Sequence, residues 1–277
     1  MHKTFVRFFF LIVFLVVAPA SGQTVYGQSP DSLKVLPEDE FAVIPALSAS
    51  AILRQADMKR SPWSDFTMLA DLVYQKRGER TTERFRVFVH EHTKSLVSYL
   101  EPDKQRGNML LMVGDNLWYY VNKTSRPMRI TPIQKLSGGA SYGDITRLNW
   151  SGDYRSELVG QDSVDFSDAS WDCWVLQLQA LSSSATYHSI VLSVEKNTFV
   201  PRKAVVYLRS GKKMKTLFFT QYQIIGGKMM NTRIDFIDHL SADSQSSMIF
   251  SKISLKTLPD RYFLKTSLPS LYGEVVY

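Results

Sequence analysis

The chain has 277 residues, 44% of them hydrophobic, with 33 Lys and Arg against 26 Asp and Glu and a formal charge of +7. Its single cysteine, Cys173, excludes an internal disulfide, and its basic residues are spread along the chain rather than gathered, which argues against a nucleic-acid groove. The length suffices for one large β-domain or two small ones with a core that needs no cross-links.

At the N-terminus, His2, Lys3 and Arg7 precede an apolar run over 8–18 and the small residues Ala18, Ala20, Ser21 and Gly22. This is the pattern of a secretory signal over 1–22, with cleavage expected after Ala18-Pro19-Ala20 or Ala20-Ser21-Gly22. The run is about half the roughly 20 residues a spanning helix needs. Losing Lys3 and Arg7 with the signal takes the charge from +7 to +5. Residues 23–45 carry Pro30, Pro37 and Pro45 around Glu38-Asp39-Glu40 without periodicity, and read as an extended or disordered leader.

The fold is expected over 46–277. Ile52, Leu53, Ala56 and Met58 recur at near-helical spacing opposite Arg54 and Asp57, which predicts an amphipathic helix over 48–59 stopped by Ser61-Pro62. Beyond Pro62 the period changes to two. Strands are predicted at 67–75, 84–92, 94–99, 109–113 and 117–121, parted by turns such as Arg77-Gly78-Glu79 and Gly114-Asp115-Asn116. The segment 126–153, with Pro127, Pro132, Gly138-Gly139 and a short helix over 144–149, is expected to interrupt the sheet. Strands resume at 155–159, 173–180, 187–194, 203–209, 215–225, 231–239 and 248–257, with short links at Arg209-Ser210-Gly211-Lys212 and Gly226-Gly227. Roughly a dozen strands with almost no long helix exclude a βαβ fold and favour one large, curved antiparallel sheet.

The strands have unlike faces. Trp174, Leu176 and Leu178 oppose Val175, Gln177 and Gln179; Ile190, Leu192 and Val194 oppose Tyr187, Ser189 and Ser193; Ile234 and Phe236 oppose Arg233 and Asp235. The helix over 48–59 and the segment 126–153 are the covers that the sequence offers for the apolar side. Pattern alone leaves open whether that side is a filled core or a partly hollow pocket. The candidate lining residues are Trp118, Tyr120, Trp174, Leu176, Ile190, Leu192, Ile234 and Phe236, chosen as apolar-side or large aromatic positions.

Catalytic and metal signals are weak. Cys173 lies within a strand and has no adjacent histidine, so a packed thiol is the simpler reading than a nucleophile. His90 and His92, two apart, with His239 as a third, are more simply polar sheet positions than ligands, and no metal or cofactor is expected. Asp235 and Asp238, three apart in a strand, fall on opposite faces and cannot act as a carboxylate pair. There is no G-x-S-x-G, H-E-x-x-H or phosphate loop, so the chain is not read as an enzyme.

The second half carries Asp153-Tyr154, Leu158-Val159-Gly160-Gln161-Asp162, Cys173-Trp174-Val175-Leu176, Phe199-Val200-Pro201-Arg202-Lys203, Tyr207-Leu208-Arg209-Ser210-Gly211-Lys212, Gly226-Gly227-Lys228 and Leu258-Pro259-Asp260-Arg261-Tyr262-Phe263. In these the chain resembles the outer-membrane lipoprotein-sorting protein family, the LolA-like periplasmic carriers, over roughly residues 50–270. The resemblance implies an open, incomplete antiparallel β-barrel whose concave apolar face is lidded by helices. It also implies a periplasmic address and acyl chains of a lipoprotein or lipid as cargo, with an inner-membrane transporter as donor and an outer-membrane acceptor. An envelope-sensing module of the same fold is the alternative. The chain departs from the carriers in its leader and its tail over 267–277, and no gating residue is carried over.

Overall fold

Ser48 starts the described fold: its hydroxyl accepts from the Ala51 amide at 3.2 Å and caps α1 (Ala49–Asp57). Ile52, Leu53 and Ala56 line the buried face of that helix, as the near-helical spacing requires. The computed structural model describes residues 47–76, 78–124, 126–241 and 244–277, all within the unit Pro45–Tyr277. The expected signal (1–22) and leader (23–45) lie outside the described residues.

Strands follow in chain order: β1 (Phe66–Lys76), β2 (Glu79–His90), β3 (Lys94–Glu101), β4 (Met109–Val113), β5 (Asn116–Val121) and β6 (Arg126–Ile130). A small pair, β7 (Lys135–Ser137) and β8 (Ala140–Ser141), leads into the short helix α2 (Tyr142–Thr146). The second half comprises β9 (Tyr154–Phe166), β10 (Ala169–Ala180), β11 (Ser189–Glu195), β12 (Pro201–Tyr207), β13 (Lys213–Ile225), β14 (Lys228–Asp238) and β15 (Ser244–Ser254), and the chain ends in 3-10 turns and α3 (Tyr272–Val275).

Apart from β7 and β8, these strands form one 13-stranded antiparallel sheet in the order β6-β5-β4-β3-β2-β1-β15-β14-β13-β12-β11-β10-β9. Two meanders are therefore joined where the first strand meets the last, Ala70 opposite Phe250. The ends β6 and β9 do not pair with each other, so the barrel is open, as expected.

Two expectations need correction. Residues 126–130 do not interrupt the sheet but extend it, Pro127 lying opposite Tyr120 on the edge strand β6; proline is tolerated there because an edge residue can turn its missing N–H away from the ladder. The strands expected at 155–159 and 173–180 are longer, running as the hairpin β9–β10 to a turn at Ser167-Asp168. Serine and aspartate in place of apolar residues hide a strand from a hydrophobic period.

Alternation along the strands produces two separate cores. On the inner face, Leu72, Phe85, Val87, Val97, Leu110, Leu176, Ile190, Leu192, Leu217, Phe219, Ile234, Phe236 and Met248 pack in one cluster with Ile52, Leu53, Ile145, Leu148 and Trp150 from the covers. On the outer face of β2–β5, Phe88, Leu96, Met109, Leu111 and Tyr120 meet Leu258, Phe263, Leu268, Leu271, Val275 and Val276 of the C-terminal tail. The tail is thus a third cover, absent from the sequence reading.

Candidate functional site

The inner face carries two covers, α1 and the segment 131–153. The segment lies close on the strands because its backbone is bare at the contacts. A Cβ at Gly139 would sit 3.1 Å from the Phe236 Cβ, and one at Gly143 would fall 2.1 Å from the Thr186 hydroxyl. The pair Gly138-Gly139, which from sequence is simply a loop, forms the β7–β8 turn laid flat against β14 and β15, where the Gly139 amide donates to Ser246 Oγ at 2.9 Å.

Polar groups hold the covers in place. Asp57, at the end of α1, accepts from the Trp150 amide at 2.8 Å and the Ser151 amide at 2.7 Å, so one carboxylate fastens the helix to the segment. Burial pushes that carboxyl up to about 6, against the pull of Arg60 and the two amides. Arg60, 5% exposed, lays its guanidinium 3.8 Å from the centre of the Trp150 ring and donates to the Arg147 carbonyl at 3.4 Å. Burial lowers its affinity for the proton.

A second fastening joins the segment to the sheet. Lys215 on β13, 1% exposed, donates from Nζ to Asp144 Oδ2 at 2.7 Å, Gly139 O at 2.8 Å and Ser141 Oγ at 3.0 Å. The Tyr187 hydroxyl donates to the other Asp144 oxygen at 2.5 Å. The ammonium's three donors are all used, the arrangement a buried charge requires. Burial pulls Lys215 down and Tyr187 well up.

Little space remains where α2 and Trp150 meet the sheet. A void of about 10 Å³, lined among others by Arg60, Asp144, Trp150, Tyr187, Ile190 and Leu217, is far below the roughly 300–1,000 Å³ of a ligand pocket. Side chains of the lid pack against the inner face there. A cleft of about 170 Å³ opens at the lid's margin, between residues 146–153 and Met112, and larger depressions lie elsewhere on the surface. One of about 800 Å³ lies between the β9–β10 turn, with Phe166 and Trp171, and Phe218, Thr220, Arg233 and Asp235 on the outer face of β13 and β14. Burial alone would raise Asp235, but hydrogen bonds from Arg233, Ser247 and Thr220 outweigh it and draw the carboxyl below its usual value.

Of the expected lining residues, Leu176, Ile190, Leu192, Ile234 and Phe236 come together in the inner core, each at most 2% exposed. Trp174 packs at its margin, its ring 5.4 Å from that of Phe199. Trp118 and Tyr120 belong to the outer core under the C-terminal tail. Both faces of β4 and β5 are apolar, so aromatic size could not tell them apart; the inward residues of β5 are Leu117 and Tyr119.

The fastening residues were missed in the sequence, yet one left a trace. Lys215 is two residues before Leu217 and therefore shares its apolar face, a cation where the pattern asks for a hydrophobe. Other titratable groups take structural roles. His90 bonds Asp65 at 2.5 Å and stacks on Phe263, while His92 lies in the following turn with φ 59°. Asp235 and Asp238 are on opposite faces, Asp238 being 3.5 Å from Lys135. Cys173 is buried, and burial pushes its thiol up to about 11. Among the described residues no group of three or more His, Cys, Asp or Glu is placed to hold a metal, and no helix is long and apolar enough to cross a membrane.

Comparison with solved structures places this arrangement. A LolA superfamily protein from Nitrosomonas europaea is 33% identical, aligns over 80% of this chain and 99% of its own length, and superposes with a TM-score of 0.73. The chain belongs to the LolA superfamily. A family profile described as "Uncharacterized protein" matches residues 91–270. Two further structures share the LolA-type fold. A DUF1329 family protein from Desulfovibrio piger is 21% identical over 79% of this chain and 97% of that one, with a TM-score of 0.68. A putative outer membrane lipoprotein-sorting protein domain from Vibrio parahaemolyticus is 19% identical over 80% and 98%, also with a TM-score of 0.68. No curated protein matches the sequence. The chain thus has the LolA-type fold, its inner apolar face lying beneath a lid of α1 and residues 131–153.

Proposed function

We propose that the protein is a periplasmic carrier that takes an acyl chain of a lipoprotein or lipid onto its inner face when the lid lifts. It would receive that chain from an inner-membrane transporter and pass it towards an outer-membrane acceptor. The observation that carries the reading is the mismatch between the inner face and its fastening. The surface is apolar across both meanders, whereas the lid over it is secured by buried charges at Asp57, Arg60, Asp144 and Lys215.

Magnitudes make the exchange reversible. A chain of about 16 carbons gains on the order of 12 kcal/mol from burial before ordering costs. It must displace Ile52, Leu53, Ile145 and Leu148, whose burial stabilises the closed lid by about 1.5–3 kcal/mol each. These apolar sums are of one order, so cargo and lid compete for the same face, and the lid's buried polar contacts add to what the cargo must displace. That balance lets a receiving site of higher affinity draw the cargo out.

Trp174, Leu176, Ile190, Leu192, Ile234 and Phe236 are the lining we assign to the opened pocket. The test is mass spectrometry of lipid extracted from the full chain purified out of the periplasm, beside a Leu192→Arg variant. Acyl lipid on the parent, and its loss from a variant that still melts cooperatively, is the expected result. A parent that carries no acyl lipid and takes up no fluorescent fatty acid overturns the reading.

A further inference from the structure

The open sheet leaves two edges, and they differ in a way the inner face does not require. β6 is five residues long and carries Pro127 between Arg126 and Met128, with Arg129 beyond. Proline and charge on a short strand discourage pairing. β9 has thirteen residues and neither proline nor lysine, and residues 157–163 are exposed without a break, Leu158 at 44% and Val159 at 55%. Its one irregularity is a bulge that leaves Val159 without a partner. From Gly160 to Phe166 the strand pairs regularly with β10, from Val175 to Ala169. That stretch spans roughly 20 Å of backbone whose outer row of N–H and C=O groups meets no strand among the described residues.

The charge at this edge is opposite to that of the whole. The hairpin carries Glu157, Asp162, Asp165, Asp168 and Asp172 against Arg155 alone, in a chain of net charge +7. None of these carboxylates has an ion-pair partner among the described residues. Asp162 and Asp172 only accept bonds from Ser163, and the neighbouring Lys196 is bonded to the Gln161 amide oxygen at 2.6 Å. Asp165 and Asp172 share one face of the hairpin and Asp162 lies on the other, so both faces of the edge present unpaired negative charge that a cationic partner would offset.

We propose that β9 is a docking edge for a basic, extended polypeptide segment, which adds antiparallel along Gly160 to Phe166 as a further strand of the sheet. Main-chain hydrogen bonds supply the affinity and the carboxylates select for lysine and arginine. A second copy of this chain fits less well, because it would lay one acidic edge against another.

The test uses the full chain and two synthetic heptapeptides, one alternating valine with lysine and one alternating valine with glutamate. The lysine peptide is expected to bind and to slow amide exchange within residues 160–166, and the glutamate peptide to do neither. An Asp162→Lys, Asp165→Lys double variant should bind the lysine peptide roughly tenfold more weakly. Both positions are exposed and without a cationic partner among the described residues, so an unchanged thermal melt is expected, and the two peptides on the parent chain decide the matter even if that variant misfolds. Equal binding of both peptides, binding of neither, or protection outside β9 overturns the proposal. So does protection of β9 that grows with protein concentration in the absence of peptide, which would make the edge a self-association surface.

Discussion

The two faces of the sheet are covered by different means. The tail on the outer side of β2–β5 is held by Leu258, Phe263, Leu268, Leu271, Val275 and Val276 against Phe88, Leu96, Met109, Leu111 and Tyr120. Its polar contacts are peripheral: His90 is 3.3 Å from the exposed Asp260, and Arg261 pairs with Glu274 near the surface. The lid on the inner side uses apolar contacts too, but adds carboxylate, ammonium and guanidinium groups buried to the same depth. Apolar burial is non-directional and survives small displacements, whereas a buried charge pair is strong in one geometry and costly in every other. The outer cover is therefore an apolar seal, and the inner one is held in a single geometry by its buried charges.

The largest effect is expected where the inner fastening is cut. Lys215→Met leaves Asp144 buried without its cation, a change worth about 4 kcal/mol and roughly 10 °C in melting temperature. Adding Asp144→Leu should recover part of the loss, because an apolar pair is tolerated where half an ion pair is not. Urea unfolding of the single and double variants checks this. If both lose the same stability, the two groups do not act as a pair.

On the outer face the prediction differs in kind. Leu271→Ala, at a fully buried tail position, should cost about 3 kcal/mol through the cavity it leaves. It should leave uptake of a fluorescent fatty acid at the parent level below the melting transition. A variant that lost uptake in proportion to stability would show that the two covers are coupled rather than independent.

Much of this architecture was legible in the amino-acid order. Period-two alternation located the strands, and Ile52, Leu53 and Ala56 located the one helix of length, because each reflects burial on a single face. Legibility failed where burial is two-sided or absent. In β4 and β5 both faces are apolar, so Trp118 and Tyr120 could not be assigned to the outer side without the register of Met109 opposite Tyr120. The exposed half of β9 has no hydrophobic period to read. The tail carries no readable period because it packs through 3-10 turns, in which apolar residues follow no strand or helix repeat. The fastening depends on Asp57, Asp144 and Lys215 meeting across wide separations in sequence, which no local pattern encodes; only the lysine sharing a face with Leu217 pointed to it.

The smallest effect we predict is a dependence on pH, and it isolates one fastening. The Asp57 carboxyl in the folded chain titrates at about 6, above the roughly 3.9 of an unfolded aspartate. Between those values the folded state binds more protons than the unfolded one, so this residue's contribution to stability rises as pH falls from about 6 towards 4. The depressed carboxyls Asp65 and Asp235 act in the opposite direction over the acid range, so the raw stability curve of the parent mixes both signs. Asp57→Asn removes only the first term. The difference in unfolding free energy, parent minus variant, should therefore grow by on the order of 2 kcal/mol between pH 7 and pH 4, measured by urea titration at each pH. A difference that stays flat would mean that Asp57 is not held in a desolvated clasp between α1 and Trp150. The inner lid would then close by apolar contact alone, as the outer one does.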